Sequence, residues 1–304
     1  LTHYVMAKGE ENARLATANA YLKALDKVSD RETKAFIIRQ LQLLGKDECV
    51  DTLASYLNDE NLSGPAARAL SAIRTDNAKK VLVASLMRRS GTPKTQKDII
   101  RAIADVQIAD AENVLKAMLG SSDENMQKEV LYALSRVGSK ASLSDLAAVA
   151  EKAGYKMEKT GANEAYIALI KRVLEQGDTK DAEKAANDLL KKSTKAGMTQ
   201  TREAALQILL AAKPEAATKN LLSALKDTDK GYRNAALNFA SGFADQNVYI
   251  EVMKHMLKAK PEVKVDILNW IGRESKCPSK HDMIKNLELR FDLPAKQVLL
   301  EQLK

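Results

Sequence analysis

Apolar positions recur on two scales along this 304-residue chain. Locally they fall at i, i+3 and i+4 through most of the sequence, the spacing that gathers side chains on one face of an α-helix. At longer range the frame itself repeats. The stretch DENMQKEVLYALSRVG at 123–138 carries the same apolar frame as DRETKAFIIRQLQLLG at 30–45, three periods of 31 residues upstream, and both end in Leu-x(3)-Gly. Aligning the rest of the chain on that frame puts Ile38, Leu70, Ile100, Leu131, Ile167, Leu206, Leu237 and Leu268 in one column, at spacings of 32, 30, 31, 36, 39, 31 and 31. A period of this length predicts a repeat architecture of eight units.

Two neighbouring columns widen the stripe. Three residues on stand Leu41, Ile73, Ile103, Leu134, Ile170, Leu209, Ala240 and Ile271; one residue before stand Ile37, Ala69, Ile99, Val130, Tyr166, Ala205, Ala236 and Ile267. Such a face suits a helix packed between neighbours on both sides. A second apolar helix follows in most units, at 50–57, 81–87, 114–119, 221–225 and 250–257. Each unit therefore reads as a helical hairpin that cannot bury both faces alone and must stack. The predicted fold class is all-α, an α-solenoid superhelix of about eight stacked hairpins. Residues 1–29 read as an N-terminal capping helix, 30–292 as the array, and 293–304 as a closing helix. That last helix is apolar enough at Val298, Leu299, Leu300 and Leu303 to meet a further domain or a partner.

Boundary residues fit this frame. Asp30, Ser63, Thr92, Asp123 and Asp229 stand where side-chain oxygens can cap a helix start. Gly45, Gly138 and Gly272 stand at predicted ends, where left-handed C-caps are expected. Two units are longer than the rest. Their extra residues fall at 151–161, around 176–179 and at 191–197, and are read as loops, in which Tyr155 and Met157 form semi-exposed apolar contacts of a special surface.

The pattern Asp-x-x-apolar-polar-x-x-apolar-Leu-x-x-Leu/Ile, with a Gly four residues later in several copies, resembles the HEAT repeats of bacterial arrays over about residues 30–292. The family's basic residue near the start of this helix matches Lys34, Arg202, Arg233 and Lys264, whereas Ala66, Gln96, Gln127 and Asn163 depart from it. The resemblance implies that these cations hydrogen-bond between repeats. It also implies a binding scaffold, and arrays of this kind accompany catalytic domains in exported bacterial proteins. An accessory module in an exported setting is the corresponding expectation.

Composition narrows the chemistry. Aromatics are 4% of the chain, with one Trp and four Phe, so the core must be aliphatic and carried on strong helix formers. Six Pro and 13 Gly are too few turn residues for an all-β fold. The net charge of +8 is spread as 16 basic and 12 acidic residues in 1–100, 15 and 15 in 101–200, and 17 and 13 in 201–304, so no segment is a basic arm. No run reaches the roughly 20 apolar residues of a membrane span. The opening Leu1-Thr2-His3-Tyr4 lacks an initiator Met and a signal-peptide core, which points to a segment removed upstream.

Catalytic motifs are sparse. Cys49 and Cys277 form no CxxC pair, and Cys277, His281 and Asp282 make at most a loose ligand cluster without a second paired motif. Ser223-x-x-Lys226 and the Lys-Thr-Gly at 159–161 occur in the reverse order to the serine acyl-transferases they match. Neither cofactor, metal nor catalytic residue is predicted. The expected partner is a protein or a neighbouring domain. Nucleic acid is the alternative, through similarity to HEAT-like DNA alkylpurine glycosylases, which use an aromatic-lined basic groove with a carboxylate. In that reading Trp270 and Asp266 share a face off the buried stripe; Arg202, Arg233 and Lys264 stand beside them as candidate binding residues.

Overall fold

The computed structural model describes residues 2–6 and 10–274. Among these the chain is helical, with no β-strand. Two N-terminal helices, α1 (Thr2–Val5) and α2 (Glu11–Lys27), precede the repeats. The first helix of each unit is α3 (Arg31–Leu44), α5 (Ser63–Ile73), α7 (Pro93–Val106), α9 (Glu124–Val137), α11 (Ala162–Glu175), α13 (Thr199–Ala212), α15 (Lys230–Ala240) or α17 (Pro261–Arg273). The second is α4 (Val50–Ser55), α6 (Asp76–Arg88), α8 (Glu112–Lys116), α10 (Leu143–Lys152), α12 (Thr179–Lys195), α14 (Ala217–Ala224) or α16 (Gln246–Lys258). This is the HEAT-like α-solenoid architecture that the 31-residue period predicts. The predicted closing helix at 293–304 lies outside the described residues.

The chain divides into two compact units, one of residues 1–150 and 157–172, the other of 151–156 and 173–304. In the first, α3, α5, α7 and α9 pack side by side in one layer and α4, α6 and α8 in a second. In the second, α13, α15 and α17 form one layer, α14 and α16 the other, and α12 lies along α13. The three apolar columns make the cores: all of their residues are buried except Ile73 and Ile167, which are half-buried. Burying one such Leu or Ile side chain stabilises the fold by about 1.5–3 kcal/mol.

Helix starts follow the sequence closely. The carboxylates of Asp30, Asp123 and Asp229 and the hydroxyl of Thr92 accept from backbone N–H groups of the first turn. Ser63 departs from this. It is the first residue of α5 rather than its cap, and its hydroxyl donates 2.7 Å to Asp98 of the next repeat.

Helix ends correct the expectation about glycine. Gly45 and Gly138 have φ of −70° and −63°, ordinary for any residue, and Gly272 lies inside α17. What excludes a side chain at the first two is space. A Cβ on Gly45 would stand 2.6 Å from the Leu41 carbonyl oxygen, and one on Gly138 would stand 2.5 Å from that of Leu134 and 3.0 Å from Leu169 Cδ1. Left-handed caps fall instead on Arg74, Arg89 and Gln107, at φ 58°, 49° and 53°, and on glycine past α11 and α12, at Gly177 and Gly197, φ 90° and 71°.

The predicted loops hold at 176–178 and 196–197, whereas 179 and 191–195 are helix: residues 179–195 form α12, whose buried stripe of Ala182, Ala186, Leu189 and Ser193 is mostly of small residues. Residues 151 and 152 end α10, which leaves 153–161 as the connection to α11.

Candidate interaction surface

The second unit's basic residues stitch repeats together. Arg233 on α15 is buried and donates 2.8 Å from Nε to Asp266 Oδ2 on α17, with Nη2 at 2.6 Å from the same oxygen. Its Nη1 donates to the carbonyls of Asp227 and Thr228, 3.0 Å each, in the loop before α15. Arg202 on α13 repeats the arrangement one unit earlier. It pairs with Asp227, lies 3.8 Å from Asp229 and stacks 4.1 Å over the Tyr232 ring, whose hydroxyl is pushed up to about 12 chiefly by burial. Lys264 on α17 is half-buried. In the first unit Lys34 sits 5.5 Å over Tyr56. An exchange of hydrogen bonds between repeats is what the resemblance implies for such cations.

The face proposed from Trp270 and Asp266 is not at the surface. Trp270 is 1% exposed, stacks on Tyr249 at 5.2 Å and donates 3.0 Å from Nε1 to Ser241 Oγ, while Asp266 is spent on Arg233. Helical rotation does place both off the column of Leu268, but the neighbouring repeat covers that side. Tyr155 is likewise buried, not semi-exposed: its carbonyl accepts 2.9 Å from Thr201 Oγ1, and burial pushes its hydroxyl pKa up. Met157, at 70% exposure, remains outside.

What is exposed is a polar face made by the first helices. Lys230, Asn234 and Asn238 fall four apart on α15, and Asn269 and Arg273 four apart on α17; with the edge of Asp266 they line a cavity of about 360 Å³. Asn238 and Asn269 occupy the same repeat position, one residue after the buried column, and Gln207 occupies it on α13. The spacing of 31 in this carboxamide register is visible in the sequence, but carboxamides carry neither the charge nor the aromatic ring that marks a binding face by composition.

Residues 84–167 match the family model of HEAT repeats. Among solved structures the chain is similar in fold to importin beta, at 14% identity and a TM-score of 0.50 over 90% of this chain and 44% of that one. It thus spans less than half of that protein, and the likeness is one of fold. An engineered protein aligns at 18% identity over 94% of this chain and 98% of its own, with a TM-score of 0.40. A designed armadillo repeat protein aligns at 14% identity over 94% and 99%, with a TM-score of 0.18. No curated protein matches the sequence. No helix among the described residues is long and apolar enough to cross a membrane. No group of three His, Cys, Asp or Glu among them converges on a metal position; the Cys277, His281 and Asp282 cluster lies outside the described residues.

Proposed function

We propose that the chain is a non-enzymatic scaffold that binds a protein partner, and that it grips an extended segment of that partner on the α15–α17 face. The observation that carries this reading is the repeated carboxamide. Asn238 and Asn269 each offer one acceptor and two donors, the complement of a peptide group's N–H and C=O. Packed helices lie about 8–10 Å apart, close to the roughly 10 Å that three residues of an extended chain span. One carboxamide per helix therefore meets the backbone at a regular interval, and Lys230 and Arg273 favour acidic side chains beside it. The same array serves equally as an accessory module beside a catalytic domain.

Selection from a random peptide library on the purified chain tests this. Binders are expected to lose about tenfold or more with Asn238→Ala and Asn269→Ala combined, two lost hydrogen bonds of about 1 kcal/mol each, while the melting temperature holds. Selected peptides that bind the double variant unchanged would reject the site. A turnover abolished by a single carboxylate change would reject the scaffold.

A further inference from the structure

A second cavity of the same unit has a different chemistry. It holds about 480 Å³ between the loop after α14 and the turn from α16 to α17. Its lining is partly apolar, from Ala259 and Val263 over the buried Leu225, and otherwise carries Lys226, His255, Lys258 and Lys260. The three lysines are exposed, and none has an ion-pair partner among the described residues. The carboxylates that line the same space do not balance them. Asp227 is engaged by Arg202 and by the backbone N–H of Asp229 at 2.9 Å, which leaves Glu262 alone against three ammonium groups.

We propose that this cavity binds a phosphomonoester, its dianionic phosphate held by Lys226, Lys258 and Lys260 and its organic body set against Leu225, Ala259 and Val263. Lysine favours phosphate over carboxylate here. Ammonium groups act as separate point charges that can approach a tetrahedral dianion from several sides, whereas the planar carboxylate is matched by an arginine fork, and no arginine lines the cavity. The volume exceeds that of a phosphate ion, and the apolar wall gives the remainder a use. His255 reports on occupancy. Burial and the neighbouring Lys226 hold its pKa below the usual histidine value, and a bound dianion reverses the second effect.

The experiment is an NMR titration of the whole chain, following the His255 imidazole, assigned by its loss in His255→Gln. Phenyl phosphate is expected to shift it saturably and raise its pKa, inorganic phosphate to do so more weakly, and benzoate not to compete. Lys226→Gln and Lys258→Gln are each expected to weaken phenyl phosphate about fivefold, one exposed charge pair apiece. Both lysines are exposed, so folding is not at stake. No saturable shift at millimolar phenyl phosphate, equal binding of benzoate, or undiminished binding by the double variant would overturn the proposal. Inorganic phosphate binding as tightly as phenyl phosphate would overturn the role of the apolar wall.

Discussion

At the scale of single residues, the second unit depends on one buried ion pair. The side chains of Arg233 and Asp266 are 3% and 2% exposed, and Arg233 spends its remaining donors on two loop carbonyls. Removing only the carboxylate strands a guanidinium in the interior. Asp266→Ala should therefore cost about 3–5 kcal/mol in urea unfolding, and the joint change Arg233→Met with Asp266→Leu should recover most of it, because the desolvation of two charges goes with them. If Asp266→Ala left the midpoint unmoved, the pair would be no part of the core. The cations at 202 and 233 were legible from the repeat frame. That Asp266 and Trp270 were sealed was not, since exposure depends on what the next repeat lays over them.

At the scale of elements, helix ends carry the surprises. Arg74, Arg89 and Gln107 close α5, α6 and α7 in the left-handed region, a conformation costing a non-glycine residue about 1–2 kcal/mol. Replacing each by Gly should stabilise the chain by roughly 0.5–1 kcal/mol after glycine's larger unfolded entropy is counted, read as a rise in thermal midpoint. Docking of α2 is set by charge. Arg14 is buried and donates 2.7 Å to the Leu44 carbonyl and 2.6 Å to Glu48, and is held from below by Glu11 at 2.8 Å. The hydrogen bond from Arg14, helped by Lys46, pulls the Glu11 carboxyl down from 4.5 to about 2. Burial pushes Glu48 up, yet Arg14 leaves it below its usual value. Both groups have depressed folded pKa values, so their contribution is complete above about pH 4.5 and is lost as the pH falls toward 2. Protection factors of the α2 amides, exchange corrected for its intrinsic pH dependence, should fall over that window, and Arg14→Met should remove the acid step.

At the scale of the whole molecule, charge bears on the choice between protein and nucleic acid. The excess of +8 lies in the two outer thirds as +4 each, interleaved with carboxylates, and the buried cations Arg202 and Arg233 are paired between repeats. Association with labelled oligonucleotides at about 50 mM salt should therefore be weak and should vanish by about 200 mM, as for diffuse phosphate contacts. Tight binding surviving the higher salt would contradict the scaffold reading.

The sequence alone determined the period, the helical hairpin, the buried columns and four of the five caps, because each depends on neighbours within one turn or one repeat. Tertiary structure decided everything that one repeat does to the next. It sealed Trp270, Asp266 and Tyr155, assigned glycine at 45 and 138 to a close carbonyl rather than to a left-handed turn, and laid the mostly small stripe of α12 along α13. It also brought Lys226, His255, Lys258 and Lys260 to one cavity from two separate repeats. Periodicity is written along the chain, whereas a surface is made by stacking, and the depth to which one helix covers another is fixed by packing across more than thirty residues of separation.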